Sequence, residues 1–178
     1  MTHAPSTRRG TAPHNPLMTE PLAIYLNDHL MGATSGSELA RRIAKQHAQS
    51  SAGQTLVRIA DEIAQDRAAL LEVMDELGVP VRRYKIGIGW AVEKAGRAKT
   101  NGFLVRRAPL SSMIELESLR LGVEGKRLMW QAVRSLHGQQ AAGLDPDRLT
   151  DLLQRATNQA EILEELQLQA AASILNAA

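Results

Sequence analysis

The sequence predicts an all-α protein: one domain, built as a four-helix bundle with a long crossover between the second and third helices. Three observations carry this expectation. Hydrophobic residues make up 44% of the chain but aromatics only 3%, and the apolar set is mostly Ala, Leu and Ile, of which Ala and Leu are strong helix formers. No segment alternates apolar and polar residues at period two, whereas four segments repeat apolar residues at helical spacing. At 178 residues the chain is long enough for one sizeable core and short for two.

Residues 1–18 precede the first periodic segment. They are rich in Pro, Thr, Ser and His, carry Arg8 and Arg9, and lack the apolar stretch of a secretory signal. They read as a disordered tail, with 19–178 as the bundle domain. The first helix is expected from Pro21 to His47, with Thr19 as N-cap and Pro21 in the first turn, where its missing N–H is not needed. Its expected core face is Leu22, Tyr25, Leu26, His29, Ala33, Gly36, Ala40, Ile43 and His47. The small residues Gly32, Ala33, Gly36 and Ala40 predict a thin stripe that a neighbouring backbone can approach. After a short turn, the second helix is expected from Gln54 to Leu77 on the stripe Leu56, Ile59, Ala60, Ile63, Leu70, Met74 and Leu77. Gly78 and Pro80 end it. The short connection makes these two helices antiparallel neighbours.

Residues 79–108 differ in kind. Four glycines interrupt them, and Arg82, Arg83, Lys85, Lys94, Arg97, Lys99, Arg106 and Arg107 face Glu93 alone. Thirty residues far exceed a tight turn. A connection this long travels the length of a bundle and makes the second and third helices parallel. The third helix opens at Pro109 and ends near Leu136, its core face expected along Leu110, Ile114, Leu121 and Leu128. The fourth opens with Asp145 as N-cap and Pro146 at N1. It runs to Leu175 on Leu149, Leu152, Leu153, Ala156, Ala160, Leu163, Ala170 and Ile174.

Two helical hairpins joined by a long crossover resemble the up-down-down-up arrangement of ferritin-like bundles. The segments Tyr25-Leu26-Asn27-Asp28-His29-Leu30 and Leu121-Gly122-Val123-Glu124-Gly125-Lys126 look like those of an uncharacterised bacterial ferritin-like four-helix-bundle family. The resemblance covers roughly residues 20–175 and implies a fold, not an activity. Ferritin-like di-iron proteins carry Glu-x-x-His on two helices, a spacing that points both ligands inward from one face. Here Glu38 is followed at i+3 by Arg41, Glu62 by Gln65, Glu117 by Arg120 and Glu161 by Glu164, so those ligands are not transferred.

Polar residues nevertheless interrupt the apolar stripes. Glu117 and Glu124, seven apart, share the expected core face of the third helix. Arg67 lies between Ile63 and Leu70 on the second, His29 is central on the first and Gln167 on the fourth. A buried carboxylate is costly unless paired, and parallel second and third helices put Arg67 and Glu124 at similar heights. A structural pair between Arg67 and Glu124, fixing helix register, is therefore the expectation. The functional counterpart is a metal site using Glu117, Glu124 and His29, holding iron or another divalent ion.

The basic crossover offers a different surface. Arg82, Arg83, Lys85 and Trp90 are candidates for nucleic-acid phosphates or an anionic membrane. The plainer explanation, which is preferred, is a solvated connection whose cations balance the acidic fourth helix, with Asp145, Asp147, Asp151, Glu161, Glu164 and Glu165. Gly87-Ile88-Gly89 lacks the Walker lysine and the third Rossmann glycine, and no Gly-x-Ser-x-Gly or His-Glu-x-x-His element occurs. Without cysteine there are no disulfides, thiolate metal sites or cysteine nucleophiles. No apolar run reaches the roughly 18 residues of a membrane span, and the expected location is the cytoplasm. The sequence thus predicts a non-catalytic, cofactor-free bundle that acts by self-association, as a homo-oligomer, or by binding a protein partner. A degenerate metal-binding bundle and an adaptor for anionic partners are the alternatives.

Overall fold

The structure, a computed structural model, describes residues 20–82, 109–136 and 143–176. The tail 1–18, the Thr19 cap and the crossover beyond Arg82 lie outside the described residues. These contain four helices and no strand: α1 (Glu20–Gln46), α2 (Gly53–Glu76), α3 (Pro109–Arg134) and α4 (Pro146–Leu175). None is long and apolar enough to cross a membrane.

Local chemistry sets the ends. Gly78 takes φ +68°, the left-handed conformation that glycine adopts without a Cβ penalty. The N–H of Gly78 then donates to the Asp75 carbonyl (2.9 Å) and that of Val79 to the Met74 carbonyl (2.7 Å). This Schellman closure satisfies two carbonyls that the helix leaves open. At the start of α4, the Asp145 carboxylate accepts from the Asp147 N–H at 3.0 Å, with Pro146 following. Gly53 opens α2 where a Cβ would meet the Ala48 and His47 carbonyl oxygens at 2.7 and 2.8 Å, so only glycine fits the turn unstrained.

The core has two apolar clusters, and each helix contributes to both. One joins Leu26 and Leu30 near the start of α1, Leu70 and Met74 near the end of α2, Met129 and Trp130 near the end of α3, and Leu149 and Leu152 at the start of α4. The other joins Ala40 and Ile43, Leu56 and Ile59, Leu116 and Leu119, and Ala160 and Leu163. Between them lie Ser37, Asp66 and Gln159, all buried although polar.

The whole expected stripe of α2 is buried. Two other faces need correction. On α1 the buried set is Ala23, Leu26, Asn27, Leu30, Ser37, Ala40, Ile43 and Ala44. The face is rotated, so that Tyr25 is exposed and His29 half-buried. On α3 the expected core face is on the surface: Leu110, Ile114, Leu121 and Leu128 are all exposed, Leu121 by 61%. Leu116, Leu119, Val123, Met129, Trp130 and Val133 are buried instead. This helix is apolar on two sides, and Trp130 and Met129 bury more area inward than the leucines would.

Asn27 ties α1 to the exit of α2. Its buried amide donates to the Ala23 and Pro80 carbonyls (2.8 and 3.1 Å) and accepts from the Arg82 N–H (2.7 Å).

Candidate functional site

The glycines of α1 and α3 make an opening, not a close contact. A Cβ built at Gly32, Gly36, Gly122 or Gly125 meets nothing within 4 Å. The expectation that small residues let a neighbouring backbone approach is therefore corrected. The four glycines line a groove of about 370 Å³ between α1 and α3, with Ile63, Asp66, Arg67 and Leu70 of α2 as its floor. That volume lies within the ~300–1,000 Å³ of small-molecule pockets, which are mostly apolar with a few placed polar groups. Ala33, Leu39, Leu119, Val123 and Met129 supply most of the rest of its apolar wall, and Tyr25, Asp28, His29, Ser118, Lys126 and Trp130 its further polar atoms.

The floor is a charged network reached from three helices. The Asp66 side chain is 1% exposed and is held from both sides, by Lys126 of α3 and by Arg155 of α4. The Arg155 Nε donates to Asp66 Oδ1 at 2.6 Å. Gln159, fully buried, accepts from Lys126 and donates to Asp66 Oδ2 (3.2 Å) and to Glu62 Oε2 (3.0 Å). Two fork-shaped or multi-donor cations on one carboxylate, with an amide filling the remaining lone pairs, is how a buried charge is kept without leaving an unpaired one. Burial pushes the Lys126 ammonium below the usual lysine range, and the Asp66 carboxylate works against that shift.

The pair expected between Arg67 and Glu124 does not form. The Arg67 Nε donates to Thr34 Oγ1 at 3.0 Å, while Glu124 accepts two bonds from Arg127 on its own helix, at 2.9 and 2.7 Å. The bond from Arg127 holds the Glu124 carboxyl below its ordinary range. The rotation of α3 is the reason. It turns Glu124 toward solvent and brings in Lys126, which meets Asp66, the neighbour of Arg67. The buried glutamine of α4 is likewise Gln159, with Gln167 half-buried.

The metal candidates fare similarly. Glu117 is exposed and Glu124 is engaged by Arg127. His29 is half-buried against the Tyr25 ring, edge to face at 4.5 Å, and burial holds its pKa below 6.5. Among the described residues no three His, Asp or Glu side chains converge as a metal site. Of the anionic-partner candidates, Arg82 binds Glu20 at 2.6 Å; Arg83, Lys85 and Trp90 lie outside the described residues. The acidic groups of α4 that have described partners are served from within the bundle: Glu164 takes Arg120 of α3 at 2.9 Å.

Sequence reasoning missed Asp66, Lys126, Arg155, Gln159, the α3 glycines and Trp130. A trace of the site was present. Lys126 falls in the run Leu119, Val123, Trp130, Val133, a second apolar face of α3 that the three surface leucines and one isoleucine outweighed. The Trp130 indole N–H is buried without a hydrogen-bond partner. Comparisons with protein-family models, with curated proteins and with solved structures returned no match.

Proposed function

We propose that this protein is a non-catalytic binding bundle that receives a small molecule in the groove between α1 and α3. The carrying observation is the groove itself: four helix-interior glycines hold open an apolar space above a charged floor. Each glycine weakens its helix by about 0.5–1 kcal/mol relative to alanine, and none is required by a neighbouring atom. Space kept against helix stability is the mark of a surface that accommodates something. Binding fits better than catalysis because Asp66, the buried carboxylate of the site, is already engaged by Lys126, Arg155 and Gln159. We further propose the ferritin-like up-down-down-up arrangement. Its support is the composition of the two core clusters, in which the end of α2 meets the end of α3 and the starts of α1 and α4.

Thermal unfolding in the presence of a small-molecule panel tests the binding proposal. A ligand at 100 times its Kd stabilises by about 2.7 kcal/mol, which at this chain length raises Tm by roughly 5–10 °C. Gly122→Leu, which fills the groove, is expected to abolish the rise. A panel that leaves Tm unmoved, or a rise that survives Gly122→Leu, refutes it.

One observation favours self-association as a second reading. Leu110, Ile114, Leu121 and Leu128 lie on one side of α3 and are 44–61% exposed, the spacing of a helix that packs against another. Light scattering decides it: a dimer that Leu121→Glu dissociates supports this reading, and a monomer at high concentration removes it. The metal and anionic-partner alternatives gain no comparable support from the placement of Glu117, Glu124 and Arg82.

A further inference from the structure

We propose that the ligand of the groove is a small amphipathic anion, its acidic head toward Arg67, Lys126 and Trp130 and its apolar body against the glycine walls. This rests on the reading of the groove as a binding site and adds the chemistry of the occupant.

The groove floor holds more hydrogen-bond donors than the protein itself satisfies. Trp130 is 0% exposed and lines the groove, and its indole N–H has no acceptor. A buried donor left without an acceptor is costly, so a ligand oxygen placed against it is favoured. Arg67 lines the groove floor with five N–H donors, of which the Nε–H is taken by Thr34. Lys126 carries three and directs bonds to Asp66 and Gln159, which leaves a third N–H. Two carboxylates line the groove: Asp66 at the floor already takes bonds from Lys126, Arg155 and Gln159, and Asp28 is exposed and acts on the neighbouring His29. The floor around Arg67, Lys126 and Trp130 thus offers donors to a ligand and asks for an acceptor. A carboxylate answers a guanidinium better than a neutral oxygen does, because charge-assisted bonds are roughly twice as strong. The walls answer the rest of the molecule, being almost wholly apolar.

Fluorescence titration of the full chain tests this. The sequence has two tryptophans, so Trp90→Phe leaves Trp130 as the reporter inside the site. Decanoate, decanol and decylamine, of equal chain length and kept below micelle-forming concentrations, are titrated at pH 7.5. Decanoate is expected to saturate with an apparent Kd at least tenfold below that of decanol, with decylamine weakest. Arg67→Met should bring decanoate to the decanol value, while Arg67→Lys keeps most of the preference; circular dichroism confirms that each variant is folded. Equal or tighter binding of decanol or decylamine, still lost in Gly122→Leu, overturns the anion and leaves the groove standing. A decanoate preference unchanged by Arg67→Met also overturns it. No saturable response to any of the three overturns both.

Discussion

Replacing Asp66 by Asn keeps its shape and removes its charge from between Lys126 and Arg155. The magnitude follows from exposure. The Arg155 side chain is 32% exposed and can turn to water, but that of Lys126 is 13% exposed and stays buried, with the Gln159 oxygen and the weaker pull of Glu62 in place of a directly paired carboxylate. Breaking a buried pair from one side costs about 3–5 kcal/mol, a large share of a typical stability of ~5–15 kcal/mol. Lys126→Met is gentler, because Asp66 keeps Arg155 and Gln159; the loss of bonds to a charged group predicts about 1.5–3 kcal/mol. The double variant should fall short of the sum by about 1–3 kcal/mol, since the second change removes the charge that the first one stranded. Urea unfolding followed by circular dichroism, at constant m-value, measures all three. A pH series gives an independent check. Lys126 has a folded pKa below its unfolded 10.5, so the unfolded state holds more protons between the two values and stability rises with pH across that window. Asp66→Asn removes the group that opposes this shift, and the rise should steepen. Single effects below about 1 kcal/mol that add within ~0.5 kcal/mol would show that the network does not hold these helices together.

Three further outcomes are expected. The pKa of His29 is lowered by burial, so the unfolded state takes up a proton first as pH falls below 6.5; wild-type stability should decline through that range, and His29→Gln, compared at pH 7.5 and 5 by urea unfolding, should decline less. Glu124→Gln should change stability by no more than about 1 kcal/mol, as for exposed ion pairs. Combined with Arg67→Met it should be additive within ~0.5 kcal/mol, since the two have separate partners. Gly36→Ala should raise stability by about 0.5–1 kcal/mol, because its Cβ enters open space. Gly53→Ala should lower it by about 1–3 kcal/mol, because its Cβ meets two backbone oxygens; thermal scans of the pair give the two signs.

The elements were more legible in the sequence than the faces. Pro109, Asp145-Pro146 and Gly78 mark helix ends by backbone geometry, which a linear sequence carries in full. The stripe of α2 was legible because its other side is charged. The faces of α1 and α3 were not. Leu110, Ile114, Leu121 and Leu128 compete with Leu116, Leu119, Val123 and Trp130, and apolarity alone cannot choose between two apolar sides of one helix. The choice is made by a partner far along the chain: Lys126 turns inward because Asp66 is there. The groove was hidden for a related reason. A glycine in a helix reads alike whether a neighbouring backbone presses on it or space lies beside it, and only the placement of α1 against α3 distinguishes these.

The amide of Asn27 has a consequence of its own. A primary amide presents a donor and an acceptor side by side, as one peptide unit of a β-strand does, and the Pro80 carbonyl and Arg82 N–H face it two residues apart like the edge of a strand. The side chain thus imitates a single rung of sheet in a protein built from helices. An aspartate has the same size but no N–H to offer the Pro80 or Ala23 carbonyl. Hydrolysis of this one amide, which replaces –NH₂ by –O⁻, would turn two attractions into repulsions. Beyond the Gly78 closure, the bond between α1 and the Pro80 carbonyl of the chain leaving α2 depends on a single nitrogen.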